Sequence, residues 1–116
     1  MFITLEGPEG SGKSTQIKRL AERLQALGYP VLTTREPGGT PIGDQIRQVL
    51  VRMENQELHP RTEILLFLAA RAQLVEQVVK PALRDGKIIL CDRYGDSTLA
   101  YQGYGRGIDV AAIRKL

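Results

Sequence analysis

Residues 7 to 14 read Gly7-Pro8-Glu9-Gly10-Ser11-Gly12-Lys13-Ser14, a complete G-x-x-x-x-G-K-[ST] pattern. The chemistry of that spacing is phosphate binding. A glycine-rich turn lets successive backbone N–H groups face inward onto a polyphosphate, because no Cβ blocks the bend or the approach. Lys13 would carry a positive charge to the β- and γ-phosphates, and the Ser14 hydroxyl would ligate Mg²⁺. The pattern also arises by chance, so its flanks decide. Phe2-Ile3-Thr4-Leu5 before it reads as a short buried strand, and residues 16–27 after it read as an amphipathic helix. Strand, glycine loop and helix start, in that order, favour nucleotide binding over an accidental turn. The loop alone does not separate a kinase from a GTPase, a motor or a transporter ATPase.

Ligands of open α/β sheets collect at the carboxyl ends of strands. Two more polar clusters follow apolar runs: Arg35-Glu36 after Val31-Leu32-Thr33-Thr34, and Asp92-Arg93 after Lys87-Ile88-Ile89-Leu90-Cys91. Asp92 is placed to hold Mg²⁺ directly or through water; its plainer reading is a helix cap or surface acid. Arg93 can fork onto phosphate oxygens, the charge that phosphoryl transfer between two anions requires; its plainer reading is a surface ion pair. Phe67 and Arg71 stand four apart and share one helix face. Phe67 alone reads as core. Arg71 on the same apolar face favours a nucleobase reader, the ring stacking and the guanidinium hydrogen-bonding, since a guanidinium is rarely buried unpartnered. Both readings of Phe67 stand. His59 precedes Pro60 in a polar stretch and reads as a solvated loop residue. Ser97 to Gly107 is punctuated by glycine, so Tyr101, Gln102 and Tyr104 are either turn residues or sugar and base contacts.

These side chains must be positioned by alternating elements. Ile17, Leu20, Ala21, Leu24 and Leu27 mark one helix face, with Gly28 placed to end it. Ile42, Ile46, Val49 and Leu50 suggest a second helix, and residues 53–60 a polar connection. A long helix starts near Arg61. Residues 64–70 are apolar nearly all round, which predicts burial on every side, and Leu74, Val75, Val78 and Val79 continue the pattern. Pro81 predicts a kink or an end nearby, and Gly86 a turn. Asp109 is a candidate cap for a last helix running to Leu116. Strands separated by helices predict a three-layer α/β fold with a parallel sheet. Only three strands are visible and the pattern stops inside a helix, which suggests the N-terminal part of a longer protein.

Composition narrows the classes. The 116 residues are 42% apolar, enough for one core, and carry a net charge of +3. That charge suits small anionic ligands and is too mild and scattered for a nucleic-acid groove. Cys91 is the only cysteine. It excludes an internal disulfide, fits a reducing compartment and reads as a small buried residue at a strand end. No basic-then-apolar leader opens the sequence and no apolar run approaches ~20 residues, so a cytoplasmic protein without a membrane span is expected.

Three segments taken together resemble bacterial thymidylate kinases: residues 2–14; Thr34-Arg35-Glu36-Pro37-Gly38-Gly39-Thr40; and Asp92-Arg93-Tyr94-Gly95-Asp96-Ser97-Thr98-Leu99-Ala100-Tyr101-Gln102-Gly103. Leu66-Phe67-Leu68-Ala69-Ala70-Arg71-Ala72-Gln73 also fits. The resemblance runs from Met1 to Leu116. It implies a P-loop NTPase fold of the nucleoside monophosphate kinase type, with residues 1–116 forming the N-terminal part of the kinase domain and the lid and last strands beyond. It implies phosphorylation of dTMP to dTDP by Mg·ATP. Residues 7–14 would bind the ATP phosphates. Phe67 would stack on thymine and Arg71 would bond its edge. Glu9 would contact the sugar 3′-hydroxyl. Glu36, Arg47 and Arg93 would organise the acceptor phosphate, with Lys13 and Arg93 catalytic. Ser97, Tyr101 and Gln102 would line the deoxyribose and base pocket, Tyr101 disfavouring a 2′-hydroxyl. Ser14 and Asp92 would serve the metal. The bond before Pro37 would be cis, and a homodimer would form through residues 42–50 and 64–79.

One departure matters. Part of the family carries an arginine inside the phosphate loop, whereas Pro8, Glu9, Gly10 and Ser11 occupy those positions here. The resemblance then implies basic residues from a later lid. Alternatives remain: a kinase for another nucleoside monophosphate or a deoxynucleoside, a nucleotide-binding fragment without turnover, or a GTPase-like switch, for which no N-K-x-D motif is present.

Overall fold

The computed structural model describes residues 1–8, 10–52, 55–93 and 111. Three strands, β1 (Phe2–Leu5), β2 (Val31–Arg35) and β3 (Ile88–Asp92), form one parallel sheet in the order β1-β3-β2. The last strand in sequence is therefore the central one. Ile89, Leu90 and Cys91 of β3 have no exposed surface. A strand covered on both faces and paired at both edges must be apolar along its covered length, as Ile88 to Cys91 are.

Successive side chains of a strand point to opposite faces, and the core divides accordingly. On the Leu90 face lies α1 (Lys13–Ala26), which buries Ile17 and Ala21 with Ile3, Leu5, Leu20, Leu24, Val31 and Ile88 alongside. On the Ile89 face lie Leu74, Val79 and Ala82, with Phe2, Leu32 and Val78 packed against them. The expected three layers result. α1 begins three residues earlier than its apolar pattern, because Gly12 turns left-handed (φ 88°) and caps it directly from the loop. It ends as expected at Gly28. The Gly28 N–H donates to the Gln25 carbonyl (2.9 Å) and the Tyr29 N–H to the Leu24 carbonyl (3.1 Å), a Schellman closure.

α2 (Pro41–Val51) is capped by Thr40, whose Oγ1 accepts from the Gly43 N–H at 2.9 Å. α3 (Pro60–Leu74) is capped by His59, whose Nδ1 accepts from the Arg61 N–H at 3.1 Å. The imidazole is exposed, as the sequence implies, and has a structural task that the sequence did not suggest. The helical path does not end with α3 at Leu74. It passes through a π turn (Val75–Val79) into a short α4 (Lys80–Arg84). Proline lacks an N–H and clashes with the carbonyl four residues back; a widened turn absorbs both faults. Val79 and Ala82 thereby stay over Ile89. The all-round burial expected for residues 64–70 is not found: Ile64 and Ala70 are buried, but Leu65 is 60% exposed. α3 packs on α2 and turns an outer face to solvent, with Ile42, Val49 and Val51 of α2 also exposed. The last helix expected from Asp109 falls outside the described residues.

Candidate functional site

Register brings the polar clusters together. Leu5 of β1 and Arg35 of β2 both lie opposite Asp92 of β3, so the three strands finish level. Two backbone bonds and one side-chain bond hold that edge. The Arg93 N–H donates to the Leu5 carbonyl (3.0 Å), the Glu36 N–H donates to the Asp92 carbonyl (3.0 Å), and the Cys91 thiol donates to the Arg93 carbonyl (3.1 Å). Arg93 itself has φ 69°, a left-handed conformation costing a non-glycine residue about 1–2 kcal/mol. Such a residue persists where its surroundings over-determine it, commonly at a working site.

The phosphate loop opens from β1 onto this edge. Lys13 folds back over it: Nζ donates to the Pro8 carbonyl at 3.1 Å and lies 3.7 Å from Asp92 Oδ1. The second distance is within ion-pair reach and beyond a hydrogen bond. Asp92 Oδ1 is buried and has no hydrogen-bond donor among the described residues. A buried carboxylate oxygen without a donor is costly unless something positive completes it. An oxygen-only donor set of the Asp92 carboxylate and the Ser14 hydroxyl, both lining one cleft, suits a hard cation such as Mg²⁺. Among the described residues no group of three or more His, Cys, Asp or Glu side chains gathers, so phosphate and water would complete the shell.

That cleft encloses about 150 Å³ and is lined by Ser14, Arg35, Glu36, Arg47, Asp92 and Arg93. Three arginines face two carboxylates there, with Lys13 beside them, which favours an anion. A larger groove of about 640 Å³ between α1 and β2 shares Ser14, Arg35 and Asp92 with it. The chemistry concentrates in the smaller space. Arg47 reaches back from α2 to donate to the Pro37 carbonyl at 3.2 Å, and the Glu36–Pro37 bond is cis, as the resemblance implies.

Glu36 is buried, at 6% exposure, and Arg71 meets it with a two-pronged fork. Arg71 Nε lies 2.9 and 3.0 Å from the two carboxylate oxygens, and Nη2 lies 2.6 Å from Oε2. Burial pushes the Glu36 carboxyl above its ordinary range. The Arg71 hydrogen bonds and charge pull it back without cancelling the shift, and Glu6 adds a smaller push upward. Burial likewise pushes the Cys91 thiol up to about 12, helped by the charges of Glu36, Glu6 and Asp92. The thiol is thus protonated and inert at neutral pH, in line with its reading as a small buried residue.

The structure therefore gathers Lys13, Ser14, Glu36, Arg47, Asp92 and Arg93 at one edge and ties Arg71 to it. Phe67 stands half-buried on α3, one turn before Arg71, while Ile64, Ala70 and Leu74 of the same helix are the buried core residues. Gly7, Pro8, Gly10, Ser11 and Gly12 form the loop. Glu9, Ser97, Tyr101 and Gln102 lie outside the described residues. Sequence reasoning missed the pairing of Glu36 with Arg71 and the bond from Cys91 to Arg93. Nothing in the local pattern signals either; the one available hint was that Arg71 needed a partner.

The sequence model of the thymidylate kinase family matches residues 5–116. A thymidylate kinase of Syntrophotalea carbinolica is 64% identical over 115 residues, which are 99% of this chain and 53% of that protein. One of Roseiflexus castenholzii is 60% identical over 116 residues, covering 100% of this chain and 51% of the relative. The crystal structure of thymidylate kinase from Ehrlichia chaffeensis matches at a TM-score of 0.91 and 47% identity, over 99% of this chain and 65% of that one. The parallel sheet, the phosphate loop and the flanking helices are thus those of a P-loop NTPase α/β fold. This chain spans about half the length of the curated relatives it matches. With the family pattern matched from residue 5 to residue 116 and the strand-end geometry in place, the chain belongs to the thymidylate kinase family.

Proposed function

We propose that the protein to which this chain belongs transfers the γ-phosphoryl group of ATP to dTMP, giving dTDP, by in-line displacement. The observation that carries this reading is the level strand edge. It sets Lys13 3.7 Å from Asp92, beside a cleft with three arginines, and joins that cleft through Glu36 to Arg71. A loose phosphoryl transition state asks mainly for positioning and for charge where charge spreads. The loop 7–14 binds the donor phosphates. Lys13 exchanges its bond to the Pro8 carbonyl for phosphate oxygens. Arg47 and Arg93 hold the acceptor phosphate, with Glu36 ordering that end of the site, and Arg93 also faces the migrating group. The acceptor phosphate is the nucleophile, so no strong general base is needed.

Ser14 and Asp92 would hold Mg²⁺, which when bound neutralises charge on the transferred group. Phe67 stacks on the thymine ring and Arg71 bonds its edge. Glu9, Ser97, Tyr101 and Gln102 complete the sugar and base contacts. The exposed Ile42, Val49 and Leu65 on α2 and α3 support a homodimer through those helices. Among the described residues no helix is long and apolar enough to cross a membrane, and the reading carries a cytoplasmic location with it.

The test separates binding from turnover. Calorimetry with dTMP and an ADP-release assay are run together on the complete protein. Both signals are expected. Lys13→Ala and Arg93→Ala should each lower turnover by roughly 10²–10³-fold, the loss expected of a group that stabilises transition-state charge. Near-normal turnover in either variant would remove that residue from the mechanism.

A further inference from the structure

The Glu36–Arg71 fork uses one whole edge of the guanidinium. Nε and Nη2 both donate to the carboxylate, at 2.6 to 3.0 Å. A planar, two-point contact fixes the plane of the group as well as its place. Glu36 is itself fixed. Its N–H is bound to the Asp92 carbonyl at 3.0 Å, and the loop after it is held by Arg47 on the Pro37 carbonyl and by the Gly39 N–H on Asp44 Oδ1 (3.1 Å). The side chain on α3 thus takes its orientation from the strand edge where the phosphates bind.

We infer that Glu36 is a positioning residue for acceptor-base selection: its carboxylate locks and neutralises Arg71, so that the guanidinium reads a base carbonyl instead of turning to the acceptor phosphate. The inference rests on the nucleotide-acceptor reading above and assigns Glu36 a different kind of task. A carboxylate pointed at a phosphate dianion would repel it, whereas here it is occupied by Arg71. An unpaired guanidinium near a phosphate prefers the phosphate to a neutral carbonyl, because the charge-assisted fork is the stronger bond. With Glu36 in place, the base meets a compensated pair whose guanidinium plane is fixed. A fixed donor accepts a pyrimidine carbonyl and rejects an amino group at the same position, because two donors would then face each other.

The test is a steady-state comparison of dTMP with dCMP on the complete protein, for wild type, Glu36→Gln, Arg71→Ala and the double variant. Glu36→Gln should raise the KM for dTMP about tenfold and narrow the dTMP-to-dCMP preference by a similar factor, the size of one charge-assisted bond. Its kcat should stay within about threefold, because no transition-state contact is lost. Arg71→Ala should do the same, and the double variant should be no worse than Arg71→Ala alone by more than about twofold, as expected of residues acting as one unit. Multiplying effects in the double variant, or a fall in kcat at unchanged KM, would overturn the inference and put Glu36 on the phosphate. If Glu36→Gln does not fold, Arg71→Lys keeps the charge but cannot make the fork, and it must show the same KM loss. The coupling is read on whichever acceptor the wild type prefers, so a failure of the thymidylate reading and a failure of the positioning role give different results.

Discussion

Gly39→Ala isolates the packing that supports the site. Gly39 has φ +82°, and a Cβ there would lie 2.5 Å from Thr34 Oγ1, 2.8 Å from Leu74 Cδ1 and 3.2 Å from the Arg35 carbonyl. Leu74 is fully buried among Val79, Ala82 and Ile89, so moving it means displacing core neighbours. Gly28 is the control: its φ is +92° and none of the described residues lies within 4 Å of the added methyl. Both variants suffer the left-handed penalty of about 1–2 kcal/mol, partly offset by the lower chain entropy of alanine in the unfolded state. Only Gly39→Ala adds the overpacking cost, typically about 1–3 kcal/mol. Urea unfolding followed by circular dichroism should place Gly39→Ala below Gly28→Ala by that amount, a midpoint shift of roughly 1 M. Equal midpoints would refute the close packing of the 36–40 loop against Leu74, and with it the rigid frame ascribed to Glu36.

Two further outcomes follow from the same edge. If Asp92 holds the cation as proposed, Asp92→Asn should raise the Mg²⁺ concentration needed for half-maximal turnover by about tenfold or more, because a hard cation then loses a charged oxygen ligand; an unchanged requirement would remove Asp92 from the metal. Cys91 has a folded-state pKa of about 12, above the ordinary 9.0, so its contribution to stability is complete below pH 9 and is lost as pH rises toward 12. Wild-type stability should therefore fall by up to about 1.4 kcal/mol per pH unit from this group above pH 9, and Cys91→Ala should flatten that slope. At neutral pH, alkylation of Cys91 should be no faster than unfolding.

The strands and their order of chemistry were legible because β3 is apolar from Ile88 to Cys91, β2 and β3 end in the charged Arg35 and Asp92, and the glycine loop follows β1. Alternation of elements was enough to predict a parallel sheet. The start of α1 was not legible, since Lys13, Ser14 and Thr15 carry no apolar period and the cap is a left-handed glycine. The π turn was visible only as trouble at Pro81, because the apolar pattern runs through it undisturbed. Residues 64–70 misled, since an apolar run does not say how many neighbours will cover it, and Leu65 remained exposed. Within the site, Lys13, Ser14, Asp92 and Arg93 follow from local motif and strand end. The Glu36–Arg71 fork joins residues 35 apart through tertiary packing, and no local spacing encodes it.

The central claim is tested most directly by an acceptor panel on the complete protein. ADP release from ATP is measured with dTMP, dUMP, dCMP and AMP at equal concentration. The account predicts the highest kcat/KM for dTMP, with dCMP and AMP far behind. Comparable or better turnover of AMP would contradict it, because a site built on Phe67 and a fixed Arg71 would then not be choosing a pyrimidine carbonyl.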